Sequence, residues 1–407
     1  MKNEIAIFGI LVLFMSACNV NSPQKQNVQV YDFKEINQDS IKEMTEIESI
    51  TVNIEVPDNF ETLNLDKSIK EMNYLRLETN SNSIIGRIDK LEIHEDRIYI
   101  LDKTFAQAIY TFDISGHHLY TINKKGYGPE EYVQIMDFCF LSDTLVVYDG
   151  LGAKLLFFNE MGNFLSKSKT GFHFRNFKSF SNGDYLIVTK NAPNSFLNEI
   201  NNYSVLIGKP DNIVKYKGFK NNLFLEQFEK TNNNPIVEYD RNSLISPLLS
   251  NFIYQFNSDG SYFPKYKISF KNELPPDYYE QTSVQKFEDY VKNRNFSYFM
   301  GTFFENDEHL FFRFNPPGNF YGYVIFNKNN SNIICYDGTN SPENKFWGLN
   351  TPHYVYNNYF VGSIDPIDIV KKKNKLLQNQ LISSDKREIL QSISESDNPI
   401  LIFYLFN

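Results

Sequence analysis

The sequence predicts an all-β fold, a six-bladed β-propeller of four-stranded antiparallel blades with two short helical insertions. Three observations lead to it. Phe and Tyr are abundant, 37 and 26 in 407 residues, against a single Trp, and these side chains suit pleated, half-buried surfaces. Asp102 recurs as Asp149, 47 residues on, and Gly116 as Gly162, 46 residues on; four short strands in such an interval mark a propeller blade. The chain ends in an almost uninterrupted apolar strand, Pro399 to Phe406, as a ring closed by a strand borrowed from the other terminus requires.

The first unit runs through Ile88–Ile93, Arg97–Asp102, Ala108–Asp113 and His118–Ile122. The second runs through Ile135–Leu141, Leu145–Asp149, Lys154–Asn159 and Asn163–Leu165. Apolar side chains fall on both sides of each alternation, which fits sheets packed between neighbouring sheets. Gly116 and Gly162 supply the positive φ of a tight hairpin. Later units are more degenerate and are marked by Asp184–Val188, Phe252–Phe256, His309–Phe314 and Tyr359–Ser363. Ser283–Lys292 reads as a short helix with Val284, Phe287 and Val291 on one face, and Asp385–Ile393 as another. Tyr74–Leu77 is the expected neighbour of the terminal strand.

The N-terminus reads as an address. Ile5 to Met15 is an apolar run too short to span ~30 Å of hydrocarbon, which takes ~20 residues, and it matches the core of a signal peptide. It ends in Met15-Ser16-Ala17-Cys18, which resembles a bacterial lipobox, with Met15 where Leu is usual. The resemblance implies removal of residues 1–17 and lipidation of Cys18, and two or more acyl chains hold a protein firmly to a membrane. Residues 18–49 are polar and weakly patterned, as expected of a flexible tether, and 50–407 are assigned to the propeller. The expected location is the cell envelope, at the outer membrane.

Composition excludes some partners. The net charge is −9, without the basic stripe that nucleic acid requires. Cys139 and Cys335 lie in apolar runs of different repeats and read as small buried hydrophobes. The sequence shows no zinc spacing of Cys and His, so no metal and no cofactor is expected. His117-His118 point to opposite faces of a strand and do not jointly chelate. No Gly-x-Ser-x-Gly elbow occurs, and Asn257-Ser258-Asp259-Gly260 falls one residue short of the sialidase turn.

Leu75-Arg76-Leu77-Glu78-Thr79, Ile85-Gly86-Arg87-Ile88, Lys124-Lys125-Gly126-Tyr127-Gly128-Pro129-Glu130-Glu131-Tyr132 and Asp397-Asn398-Pro399-Ile400-Leu401 resemble a large family of six-bladed β-propeller lipoproteins of Gram-negative envelopes. The glycine-rich loop also resembles the NHL-repeat propeller signature. The resemblance covers about residues 70 to 407 and implies the ring fold and an envelope location. It implies no settled activity, and fold alone supplies none.

The expected function is binding: a rigid disc that presents loops near its axis to a small molecule, a glycan or an envelope protein. The alternative is an envelope polysaccharide hydrolase or lyase with its site at the channel mouth. Its acid–base pair cannot be chosen from 49 acidic residues. Gly126, Gly128 and Pro129 are assigned to a tight inter-blade turn; no GK[ST] ending follows, so a phosphate cradle is not expected. Position before or on early strands selects Tyr127, Arg175, Arg313 and His353 as funnel residues, with Tyr127 placed to stack on a ligand.

Overall fold

Alternation and turn chemistry carry the described residues through twenty-seven strands. The computed structural model describes residues 33–60, 65–190, 192–211, 213–220, 235–276, 278, 283–317, 321–337, 351–378 and 384–407. β1 (Lys42–Glu43), β2 (Thr45–Glu46), β3 (Val52–Val56) and β4 (Ile69–Leu75) come first. Blade 1 is β5 (Lys90–His94), β6 (Arg97–Asp102), β7 (Ala108–Asp113) and β8 (His118–Ile122). Blade 2 is β9 (Ile135–Leu141), β10 (Thr144–Asp149), β11 (Lys154–Phe158) and β12 (Phe164–Lys169). Blade 3 is β13 (Asn176–Ser179), β14 (Tyr185–Val188), β15 (Tyr203–Gly208) and β16 (Val214–Lys220). Blade 4 is β17 (Ile236–Tyr239), β18 (Asn242–Ile245), β19 (Phe252–Phe256) and β20 (Ser261–Phe270). Blade 5 is β21 (Tyr298–Glu305), β22 (His309–Asn315), β23 (Gly322–Asn327) and β24 (Ile333–Asp337). Blade 6 joins β25 (Tyr354–Tyr356), β26 (Tyr359–Ile364) and β27 (Ile400–Phe406) to β4.

Within each blade neighbouring strands run antiparallel, in sequence order in blades 1 to 5 and with β4 beyond β27 in blade 6. The first strands touch around a common axis, β9 on β13, β13 on β17, β17 on β21, β21 on β25 and β25 on β5. The expected six-bladed propeller is therefore present. Leu401 pairs with Leu75 and Tyr404 with Met72, so the terminal strand meets the expected neighbour and the ring closes on segments from both ends of the described chain.

Burial explains why both faces of the strands are apolar. Every residue of β21 is buried, as are five of the six in β6 and in β10. Each seam between blades has its own core. Tyr99, Leu101 and Ile109 meet Phe138, Phe140 and Leu145 between blades 1 and 2, and Leu91, Ile98 and Phe112 meet Val361 and Leu401 between blades 1 and 6. Gly116 has φ +88°, and a Cβ there would stand 2.2 Å from the Arg76 carbonyl oxygen. That hairpin requires glycine on both counts.

Asp102 and Asp149, picked out by their spacing, do the same work. Asp102 Oδ2 accepts from the backbone N–H of Gly86 and Arg87 at 2.9 and 3.1 Å, and its Oδ1 from that of Phe105 at 2.8 Å. Asp149 accepts from Val133, Gln134 and Gly152 at 2.9–3.0 Å. Each carboxylate ties the segment that enters its blade to the turn after the second strand.

Two expectations need adjustment. Residues 33–49, expected within the tether, are laid along the rim instead. β1 pairs in parallel with β16, and β2 and β3 pair in parallel with β20. The sparse apolar residues of this polar segment explain it: Ile36 packs with Phe172 and Phe174, and β3 just beyond the segment buries Ile54 against blade 4. These strands also cover two exposed sheet edges. The second adjustment is an added helix. α1 (Leu65–Ser68) is a single turn, and α2 (Val284–Arg294) matches the expected helix, its N–H of Lys286 bonded to Ser283 Oγ at 3.2 Å. Between β26 and β27, however, α3 (Pro366–Leu377) precedes the expected α4 (Ser384–Ser392). Asp365 opens α3 by accepting from Ile367 N–H at 2.9 Å, with Pro366 in the first turn. Ile369 and Leu390 are then buried against the seam of blades 5 and 6. The signal peptide and Cys18 lie outside the described residues.

Candidate functional site

The innermost strands send alternate side chains to the axis, and there the structure places charges. Lys90 and Glu92 project from β5, Asp137 from β9, Lys178 from β13 and Glu238 from β17. Lys90 Nζ lies 2.8 Å from Asp137 Oδ1 and 3.1 Å from Glu92; Lys178 Nζ lies 3.1 Å from Glu92 and 2.9 Å from Glu238. The result is one chain of alternating charge across the waist of the channel. Burial alone would drive the Lys178 ammonium down, yet Glu92 and Glu238 hold it well above its ordinary value. Burial likewise favours a neutral Glu92, and Lys178 and Lys90 overcome it and lower that group. Such pairs hold because each member is satisfied.

Beside the waist lies a cavity with about 430 Å³ of empty space, part of it open to solvent, lined by Lys90, Glu92, Lys178, Glu238, His353 and Tyr354 among others. His353 Nε2 is 2.8 Å from Ser363 Oγ, and burial pushes the imidazole down to about 4, so it stays neutral at physiological pH.

The meander of each blade puts its two kinds of hairpin at opposite ends. Connections between second and third strands, and those from one blade to the next, share the end where the innermost strands begin. The long connections, including α2, α3 and α4, all lie there. Lys103 follows β6, Arg175 precedes β13 and Lys190 follows β14, so three cations meet at this mouth. Burial, then repulsion from Lys103 and Arg175, lowers Lys190 to about 7 despite an opposing pull from Asp137. Burial also depresses Lys103, against the pull of Asp137 and Asp89 and with further depression by Lys90 and Arg175. His173 is lowered by burial and by Arg175, and its ring packs edge-on to Phe33 at 4.7 Å. The same end carries Phe105, Tyr127 and Phe196, which are 71, 88 and 50 % exposed and are the exposed large aromatic side chains among the described residues.

The four funnel residues expected from position thus have distinct surroundings. His353 lines the cavity. Arg175 is exposed and belongs to the cationic mouth. Tyr127 stands at the tip of the glycine-rich loop. Arg313 lies on β22 with its guanidinium 5.7 Å from the Tyr321 ring, beside α2. Gly126, Gly128 and Pro129 form a folded-back turn: Gly126 N–H donates to the Tyr132 carbonyl at 2.8 Å and Gly128 N–H to Glu131 Oε2 at 2.7 Å. A Cβ on Gly126 would stand 2.0 Å from that same Oε2, so the carboxylate folds over the loop because no side chain is there. Sequence reasoning did not single out Lys90, Glu92, Lys178, Glu238, Lys103 or Lys190. The one available signal was charge at alternate positions of apolar runs, as in Lys90-Leu91-Glu92-Ile93.

At the opposite end His94 Nε2 lies 3.9 Å from Asp143 Oδ1, and with Glu95 these donors fall within 4.8 Å of one another. That set could hold a divalent cation, but Glu95 and Asp143 are exposed and such surface groups are common without an ion.

Six four-stranded blades whose first strands surround a common axis define a six-bladed β-propeller. The chain belongs to the family described as a domain of unknown function, DUF4934, whose model matches residues 49–405. A protein described as exported from Bacteroides fragilis shares 17 % identity and superposes with a TM-score of 0.73 over 88 % of this chain and 100 % of that one. A Bacteroides vulgatus member of the DUF4221 family aligns at 9 % identity and TM-score 0.46 over 83 and 97 % of the two chains. An inactivated virginiamycin B lyase of Staphylococcus aureus aligns at 11 % and 0.41 over 82 and 99 %. No curated protein matches the sequence. At these identities the likeness is one of fold, and no helix among the described residues is long and apolar enough to cross a membrane.

Proposed function

We propose that the chain is a binding module of the cell envelope, held to the outer membrane by lipid on Cys18, which takes a small molecule, glycan or envelope protein at its loop-bearing mouth. The observation that carries this reading is the gathering of Phe105, Tyr127 and Phe196, all exposed, at that one end. Exposed aromatics on stiff loops are costly to leave in water and are the usual means of stacking on a ligand. The match to an exported protein supports the envelope location. A hydrolase or lyase would need carboxylates available at the mouth, whereas Asp137, Glu92 and Glu238 are engaged by Lys90 and Lys178.

A glycan array probed with the purified chain tests the reading. Saturable binding to a defined glycan, lost when Phe105, Tyr127 and Phe196 are all replaced by Ala in a chain that still melts normally, supports it. Binding unchanged in that variant removes the mouth as the site. For the anchor, metabolic labelling with palmitate should mark the wild type and leave Cys18→Ser unlabelled.

A further inference from the structure

We propose that Arg313 and Thr302 form an oxyanion site in the seam between blades 5 and 6, taking the carboxylate or phosphate group of a small ligand. The site lies on blade 5, whereas Phe105, Tyr127 and Phe196 come from the connections of blades 1 to 3, so the inference does not rest on the exposed aromatics.

The strands decide which way Arg313 faces. Along β22, Leu310, Phe312 and Phe314 pack with side chains of blade 4, and Phe311 packs with Phe360 of blade 6. Alternation therefore puts Arg313 on the blade 6 side with Phe311. The innermost strand β21 is irregular where it meets this residue. Phe299 pairs with Phe314, but Thr302 rather than Met300 pairs with Arg313, because the strand takes two extra residues there. Gly301, with φ +73°, allows it. Bulges re-aim side chains and are frequent beside functional sites. This one sets Thr302 opposite Arg313, which has Tyr323 opposite it on the other side. Residues directly opposite in such a ladder hold their Cβ atoms about 5 Å apart.

The result is two adjacent donors and no acceptor. Arg313 Nε and Thr302 Oγ1 are both closed to solvent, and neither has a hydrogen-bond partner among the described residues. The Thr302 residue is 3 % exposed. Among the described residues no carboxylate pairs with the guanidinium, which lies 5.7 Å from the centre of the Tyr321 ring. The Tyr323 hydroxyl, next in the row, accepts from Thr351 Oγ1 at 3.5 Å. A buried donor without an acceptor and a half-buried charge without a counter-charge are both costly, and an ion or water commonly completes such a group. An oxyanion answers both costs: its oxygens accept from the guanidinium and the hydroxyl, and its charge balances the arginine. A neutral carbonyl would satisfy the donors and leave the charge, and a cation would be repelled. Arg313 is partly exposed, so an anion can reach it.

Calorimetric titration of the purified chain in a buffer free of other oxyanions tests this, with inorganic phosphate and glucuronate as anionic probes and methyl glucoside as a neutral competitor. At least one anionic probe should bind saturably, and the glucoside should leave that binding unchanged. Arg313→Gln should weaken it at least tenfold. Thr302→Val, which keeps the side-chain shape and removes the hydroxyl, should weaken it at least threefold. The variant with Phe105, Tyr127 and Phe196 replaced by Ala should bind the anion as the wild type does. A response to phosphate alone identifies a phosphate ester as the ligand class, and a response to glucuronate alone identifies a carboxylate. No saturable binding of either anionic probe, equal binding by wild type and Arg313→Gln, or displacement by the glucoside overturns the inference. Should Arg313→Gln fail to melt cooperatively, Thr302→Val decides: weakened binding supports the site and unchanged binding overturns it. Anion binding abolished in the triple aromatic variant puts the anion elsewhere on the mouth and likewise overturns it.

Discussion

Asp149 shows how one side chain holds a blade to its approach. It accepts three backbone N–H groups and is fully buried. Asp149→Ala should cost roughly 3 kcal/mol in chemical denaturation, since a buried donor left without its partner costs about 1–3 kcal/mol and several donors are stranded together. The 47-residue spacing of Asp102 and Asp149 was legible in the sequence; its purpose was not, because the partners are backbone groups 15 and 16 residues upstream. Lys190 gives a second prediction at this scale. Its folded value of about 7 lies below the ordinary 10.5, so between these values the unfolded chain binds more protons than the folded one. Stability must then rise as pH increases from 7 toward 10, and melting curves of Lys190→Met should lack that rise.

At the level of elements, legibility tracked turn chemistry. Hairpins with glycine, at Gly116 and Gly162, were read directly. The β17–β18 hairpin was not, because its strands are only four residues each and its turn, Asp240-Arg241 with φ of 49 and 61°, has no glycine to announce it. Replacing the pair by Asn-Gly should raise stability by at most about 1 kcal/mol, the left-handed penalty on two ordinary residues less the added freedom of glycine. Helix α3 escaped for a different reason. Its basic run Lys371-Lys372-Lys373 reads as a solvated surface, and its backbone breaks at Lys372 with φ −119°, so the apolar stripe is too short to detect. Ile369 is nonetheless fully buried in the seam of blades 5 and 6, and Ile369→Ala should cost about 2–5 kcal/mol in the same denaturation measurement.

For the molecule as a whole, the ring was legible because blades cannot stand alone: a sheet apolar on both faces needs neighbours on both sides. What crosses between blades was not. Lys178 comes from blade 3, Glu92 from blade 1 and Glu238 from blade 4, and only the closed ring brings them within 3.1 Å. Lys178→Met would leave the buried Glu92 with Lys90 as its one remaining cation and should destabilise the protein by up to about 3 kcal/mol at neutral pH, with the deficit shrinking in acid as Glu92 protonates.

The pairing of β27 with β4 carries a consequence for biogenesis. Residues 401 and 75 sit side by side in the finished sheet, so blade 6 is complete only once segments from opposite ends of the described residues have met. Until then the nascent polypeptide holds open seams whose apolar faces have no counterpart, and contacts of such long sequence separation form slowly. A ring built this way closes late in folding.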